Sequence, residues 1–257
     1  MPEGDTVFRA ARQIDEALRD GVVTRFDLRV PQVATVDLRG ELVHNVVPRG
    51  KHILMRIGDA TVHSHLRMDG EWRIYRSGQK WTHPAHKTRA IVGTVSVDAV
   101  GVDIHDVSVL ATADERTVVG HLGPDPLSES WDAADAAVRV AADPRSIHVA
   151  VLDQRNVAGF GNVYAAELLF LRGILPETPA TQVDTAALLS LGARTIRANR
   201  DRVIRTFTGS ARRGQNTWVY GRAGLPCRRC GTTIRTGTQG ANVTQERVTF
   251  WCPTCQK

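Results

Sequence analysis

Four cysteines, Cys227, Cys230, Cys252 and Cys255, stand in the last 31 residues of the chain and nowhere else. They form two Cys-x-x-Cys pairs with 21 residues (231–251) between them. Each such turn aims two thiolates at one point, and four thiolates suit a tetrahedral zinc ion. That set leaves no coordination position for a catalytic water, so the expected metal is structural. Two disulfides or an iron–sulfur cluster are the alternatives. A disulfide framework does not usually crowd into one corner of a long chain. The segment between the pairs, RTGTQGANVTQERVTF, suits a hairpin. Arg228, Arg229, Arg235 and Arg247 decorate the module, and phosphate contact and a solvated basic face explain them about equally.

Three other stretches carry groups that could do chemistry. The chain opens MPEGDTVFRAARQIDEAL, with Pro2, Glu3 and Gly4 ahead of a helical pattern. Helix initiation accounts for this locally: proline suits a first helical position, and Asp5 or Thr6 can cap. In QRNVAGFGNVYAAELLF (154–170), Gly159 and Gly161 flank Phe160, and Asn162 precedes an apolar run. Backbone N–H groups at such a helix start bind phosphate, but a tight turn between two helices is the commoner use. In PRGKHILMRI, Lys51 enters an apolar strand. It either snorkels to water or faces a cleft as an acid, base or clamp. His63 and His65 alternate on a strand and share a face, while His83 and His86 fall in a loop. No carboxylate lies at a spacing that would complete a catalytic metal site with them.

These residues need a scaffold. The 257 residues suffice for one or two domains, and 42% hydrophobic with 23% charged is ordinary for a soluble globular protein. The net charge of +6 favours a polyanion partner. No basic start with an apolar core marks a signal peptide, and no stretch nears the roughly 18 apolar residues of a membrane span. A cytoplasmic protein without membrane contact is therefore expected. Val7, Ala11, Ile14 and Leu18 predict a helix over 5–19. From about 22 to 119 the text turns to short, β-branched, often alternating runs punctuated by Gly, Pro and Asp, which predicts a β-sandwich or barrel. GHLGPDPLSES (120–130) reads as a linker. Helical patterns follow in WDAADAAVRVAA, RSIHVAVLDQ, YAAELLFLRGI and TAALLSLGARTIRANRDRVIRTF. Residues 208–217, TGSARRGQNT, read as a mobile basic loop. The fold class is α+β: an N-terminal helix and β domain, then a helical domain ending in a four-cysteine module.

Taken together, the chain resembles the formamidopyrimidine-DNA glycosylase and endonuclease VIII family of DNA repair enzymes. The matching pieces are MPEGDTV, RGKHILMRI, HSHLRMDGEWRI, HLGPDPL, DQRNVAGFGNVYAAELLFLRGILP, WVYGRAGLPCRRCGTTI and RVTFWCPTCQK. They stand in the family's order and span essentially the whole chain. The opening is closer to the endonuclease VIII branch, particularly its actinobacterial members. The resemblance implies a catalytic β-sandwich domain over 1–123, a helix–two-turn–helix DNA-binding domain over 124–216 and a zinc-finger hairpin over 217–257.

It also implies roles. Removal of Met1 exposes the secondary amine of Pro2. An α-amino group has a pKa of roughly 8, so part of it is unprotonated near neutrality and can attack C1′ of a damaged nucleoside. Pro2 would be the nucleophile and Glu3 the general acid and base. Lys51 would contact phosphate and assist β-elimination, and Arg247 would hold the flanking phosphate and serve δ-elimination. Asn162 would grip phosphate beside the lesion. Met68 would fill the void left by a flipped base, with Arg67 toward the opposite strand. Without the resemblance, Met68 reads as a buried strand residue. The formamidopyrimidine branch carries an Arg and a Phe wedge near residues 100–110, where this chain has AVGVDIHDVSVL. That departure points to oxidised pyrimidines, or single-stranded and bubble substrates, over 8-oxoguanine. His121, before LGPD, takes no assigned role. The implied protein is a monomeric, nucleoid-associated bacterial glycosylase and lyase with one structural zinc, no redox cofactor and damaged DNA as partner. A non-catalytic damaged-DNA binder on the same scaffold, or an unrelated zinc-ribbon nucleic-acid binder, are the alternatives.

Overall fold

The structure, a computed structural model, describes residues 2–240 and 246–257. Met1 and residues 241–245, which fall within the expected hairpin, lie outside the described residues. The chain divides into two compact units, Met1–His121 and Leu122–Lys257.

The first unit opens with helix α1 (Gly4–Leu18), whose Val7, Ala11, Ile14 and Leu18 are fully or almost fully buried. The helix begins one residue earlier than the pattern predicts. Its N-cap is Glu3, in extended conformation, and no side chain caps it. Asp5 lies inside the first turn and accepts the Thr6 N–H at 2.7 Å. The capping role expected of Asp5 or Thr6 is therefore not filled. Pro2, separated from the helix by an extended residue, is not its first residue.

Eight strands follow: β1 (Arg25–Leu28), β2 (Val43–Arg49), β3 (His52–Ile57), β4 (Ala60–His65), β5 (Glu71–Arg76), β6 (Thr88–Gly93), β7 (Val97–Val102) and β8 (Asp106–Ala111). They make two four-stranded antiparallel sheets, ordered β1-β6-β7-β5 and β2-β3-β4-β8. Both sheets and α1 feed one core, with Ile53, Met55 and Val62 from one sheet meeting Leu28, Val92 and Ala99 from the other. This is the sandwich that the alternating runs predict. Strand alternation puts Ile53, Met55 and Ile57 inward, so His52, Leu54 and Arg56 take the outer face. On that face Arg56 makes a two-pronged ion pair with Glu115, the residue before the short helix α2 (Arg116–Val119), at 2.7 Å for each bond.

The second unit carries α3 (Ala133–Ala141), α4 (Ile147–Leu152), α5 (Asn162–Arg172), α6 (Thr185–Asn199) and the hairpin strands β9 (Arg235–Gln239) and β10 (Arg247–Trp251). Asp132 and Asp184 cap α3 and α6 by accepting the N–H groups of Asp135 and Ala187. Helix α5 is buried from Asn162 through Phe170, which makes it the axis of the unit. Phe160 packs against α6 where Gly192 leaves space, since a Cβ there would lie 2.7 Å from its ring. The long helical run expected after Thr185 stops at Asn199. The Asn199 side chain accepts the Thr206 N–H at 2.9 Å and donates to the Thr206 carbonyl at 3.0 Å, which folds the chain back. The expected linker contains the division between units, yet its Leu122 and Asp125 are buried. Residues 208–217 form a hydrogen-bonded loop. Phe207 N–H reaches the Asn216 carbonyl, Thr208 Oγ1 the Gln215 carbonyl, and Arg228 the Gly214 and Thr217 carbonyls.

Candidate active site and metal centre

In the first unit, Pro2 lines a cavity of about 530 Å³. Its wall is one face of α1, with Thr6, Arg9 and Gln13, closed by Leu66 and Met68 from the loop between β4 and β5. Glu3, the next residue, is fully buried. Its carbonyl accepts the Val7 N–H at 3.0 Å, the first bond of the helix. Extended Glu3, joined directly to the packed helix, ties Pro2 to the start of α1. Lys51 sits with Gly50 in the two-residue turn joining β2 to β3, at the end of a register that pairs Arg49 with His52. Met68 is 59% exposed, so the buried-strand alternative fails: the residue lies past the end of β4. Arg67 adopts a left-handed backbone (φ 54°) and pairs with Asp106 at 2.8 Å. The connection between β7 and β8 is only Asp103, Ile104 and His105, with Ile104 fully buried in the core, so no wedge loop stands there.

In the second unit, Gly159 has φ 94°, a conformation that favours glycine. Its N–H donates to Gln154 Oε1, and Gln154 Nε2 donates to the Leu152 and Phe160 carbonyls. Asn162 is the first residue of α5, and Gly161 occupies the cap position. The Asn162 side chain faces two other elements. Its Oδ1 lies 2.9 Å from His148 Nε2 on α4, and its Nδ2 donates to the Val248 carbonyl on β10 at 2.8 Å. His148 therefore carries its proton on Nε2, and burial lowers its pKa to about 4. Arg247 opens β10 opposite Gln239 and is exposed. Two arginines of the Cys-x-x-Cys module are engaged within the unit: Arg229 lies over the Phe170 ring at 4.5 Å, and Arg228 holds the 208–217 loop.

The four cysteine sulfurs lie within 4.8 Å of one another. Cys230 and Cys252 Sγ are 3.4 Å apart and Cys227 and Cys255 Sγ 4.0 Å, far beyond a sulfur–sulfur bond of about 2.05 Å. All four cysteines are free, which removes the two-disulfide alternative. The spacings fit the edges of a tetrahedron with metal–sulfur bonds near 2.3 Å. Cys227 and Cys252 also pack with Ala166 and Phe170 of α5, so the metal centre is continuous with an apolar cluster. His63 and His65 do lie on one strand face, yet among the described residues only the four cysteines converge as a metal-binding group.

Sequence reasoning missed Glu167. This residue is wholly buried on α5 and accepts the N–H groups of Trp218, Val219 and Tyr220 at 2.7–2.9 Å. Burial pushes its carboxyl up to about 7, while the three donors pull the other way. A lone Glu inside an otherwise apolar helical run was the only local signal. Glu167→Ala leaves three backbone donors, one buried and two partly buried, without their acceptor, at about 1–3 kcal/mol each. Thermal unfolding of this variant is expected at least ~10 °C lower. A shift of only a degree or two would show that water replaces the carboxylate.

The fold and these two sites define a class. Residues 1–122 match the formamidopyrimidine-DNA glycosylase N-terminal domain and residues 122–205 the formamidopyrimidine-DNA glycosylase H2TH domain. The chain belongs to the formamidopyrimidine-DNA glycosylase family. It is 52% identical over 262 residues to a probable endonuclease 8 2 of Streptomyces coelicolor, covering 100% of this chain and 94% of that one. It is 46% identical to the DNA-(apurinic or apyrimidinic site) lyase Nei2 of Mycolicibacterium smegmatis, covering 100% of this chain and 99% of that one. Among solved structures, MutM in complex with DNA containing carbocyclic 8-oxo-G superposes with a TM-score of 0.81 at 24% identity, covering both chains fully. The Lactococcus lactis Fpg complex with abasic-site DNA superposes at 0.80 with 23% identity, covering 99% of each chain. Both share the fold.

Proposed function

We propose that the chain is a bifunctional DNA glycosylase and apurinic/apyrimidinic lyase of base excision repair, acting on oxidised pyrimidines. The observation that carries this reading is Pro2 lining a cavity, immediately before buried Glu3 and outside the helix that follows. Once Met1 is removed, the Pro2 nitrogen attacks C1′. The glycosidic bond breaks, and the base leaves with the bonding electrons and a proton. Glu3 protonates the ring oxygen as the sugar opens to an iminium. Loss of a C2′ proton then expels the 3′ phosphate, and loss of a C4′ proton expels the 5′ phosphate. Water releases the amine, so the cycle consumes only water.

Lys51 and Arg247 are the phosphate contacts that stabilise the two leaving groups. Asn162 donates to the phosphate beside the lesion through the second hydrogen of Nδ2, the first being held by Val248. Exposed Met68 enters the stack in place of the extruded base, and Arg67 faces the opposite strand. The short β7–β8 connection favours a pyrimidine lesion, because it supplies no second wedge. Cys227, Cys230, Cys252 and Cys255 hold one zinc ion, which shapes the hairpin bearing Arg247. Four thiolates suit zinc, and free sulfurs at tetrahedral spacing support the assignment.

Borohydride trapping tests the reading. Met1-processed protein incubated with abasic-site DNA and sodium borohydride should yield a covalent complex that mass spectrometry maps to Pro2. Measurable DNA binding with a free Pro2 but no cross-link would favour a non-catalytic damage binder.

A further inference from the structure

Four histidines converge at the edge of the first unit, on the outer face of the β2-β3-β4-β8 sheet. Strand pairing sets His52 beside His65 and His63 beside Ser108. His52 Nδ1 lies 2.8 Å from His63 Nε2, and His63 Nδ1 lies 3.0 Å from Ser108 Oγ. The rings of His52 and His63 stack at 5.0 Å. Those of His65 and His121 meet His52 edge-on at 4.9 and 6.4 Å. His63 is buried, His52 and His65 are half-buried, and His121 is exposed.

Hydrogen-bond arithmetic separates these rings. His65 Nδ1 accepts the Arg67 N–H at 3.1 Å, so a second ring proton would break that bond. His63 has both nitrogens engaged. His52 differs. When His63 donates from Nδ1 to Ser108, its Nε2 accepts from His52 Nδ1, and His52 Nε2 then offers a lone pair. A proton added there leaves the chain His52–His63–Ser108 intact.

The groups facing His52 explain why it is neutral before anything binds. His63 and His65 face it from β4, Arg67 from the following loop, Lys51 from the β2–β3 turn, and His121 from the end of the unit. Among the described residues the one carboxylate in reach, Asp106 on β8, is already paired with Arg67. Burial and like charges push His52 down to about 3 and His65 to about 4, and burial lowers His63. What the cluster lacks is a counter-anion.

We propose that a DNA phosphodiester seated at Lys51 supplies that charge and draws one proton onto His52, with the His52–His63–Ser108 chain holding the imidazolium in place. His52 is then a positioning residue that couples DNA binding to proton uptake. The proposal rests on the reading of Lys51 as a phosphate contact. Its direction is fixed: binding takes up protons, so affinity rises as pH falls, by up to about tenfold per pH unit for a full proton.

Calorimetric titration tests this with the full chain and a duplex holding a tetrahydrofuran abasic analogue, which forms no Schiff base. Heats measured at pH 6.0 in buffers of different ionisation enthalpy give the protons taken up. The Pro2 amine is common to the wild type and the variants, so its contribution cancels in the differences between them. The wild type is expected to take up a measurable fraction of a proton at pH 6.0 and more at pH 5.0. His52→Gln and, independently, Ser108→Ala should each cut that uptake by half or more and flatten the affinity–pH profile between pH 6 and 8. A purely structural role would lower affinity equally at all pH values. Uptake near zero in the wild type, or unchanged in both variants, overturns the proposal. Lys51→Ala binding as tightly as wild type would instead remove the phosphate reading, and the linkage with it.

Discussion

A chain that keeps Met1, or carries any residue ahead of Pro2, should bind abasic-site DNA and fail to cut it. The physical reason is the change of a basic secondary amine into an amide. An amide nitrogen has no available lone pair, so neither attack on C1′ nor an iminium is possible. Strand cleavage is expected to fall at least roughly a thousandfold, the scale at which losing a covalent nucleophile registers. Binding should survive, because the proposed phosphate contacts Lys51, Asn162 and Arg247 lie elsewhere in the chain. Helix α1 should also survive, since its N-cap is Glu3 and its anchors are Val7, Ala11, Ile14 and Leu18. Side-by-side gel assays of cleavage and of mobility shift, before and after proteolytic removal of the extra residue, check this. Cleavage that persists with a blocked amine would exclude Pro2 as the nucleophile.

Cys252→Ser should have the second large effect, in the other unit. Cys252 is fully buried, and its N–H is held by Gln256 Oε1 at 2.9 Å. The substitution removes one of four thiolates and sets a hydroxyl among Phe170, Val219 and Ile234. Structural zinc sites contribute about 10–16 kcal/mol in isolated zinc-finger peptides, so losing a ligand should release the metal. Zinc per chain is expected to fall from one to none, and DNA affinity by at least ~10-fold, because Arg247 loses its fixed strand. Elemental analysis, thermal unfolding and DNA binding on the same preparation check it. Unchanged zinc content and affinity would contradict the assignment of the hairpin.

Much of the fold is legible where neighbours along the chain decide the outcome. The alternation in KHILMRIGD and TVHSHLRM marks β3 and β4 because inward Ile53, Met55 and Val62 alternate with outward residues that, apart from Leu54, are polar. The two Cys-x-x-Cys pairs mark a metal centre because each is a local turn. Legibility fails where a distant residue intervenes. Asn199 ends α6 by binding a backbone seven residues on, against a sequence pattern that continues helically. Glu167 earns its place through donors more than 50 positions away. Asn162 reads as the residue ahead of an apolar helical run, and its bond to Val248 spans 86 positions. The family resemblance named Met68, whose exposure depends on where β4 stops, a boundary that periodicity does not locate.

The Asn162 amide has a consequence for inheritance. It joins His148 to the backbone of Val248, and His148 Nδ1 is buried without a hydrogen-bond partner among the described residues. An apolar residue at 148 would strand the Asn162 carbonyl, and an apolar residue at 162 would strand the imidazole N–H. Neither position can drift alone without a buried polar group left unmet. Across lineages the two should therefore change as a couple or not at all, and an alignment of relatives should show positions 148 and 162 covarying.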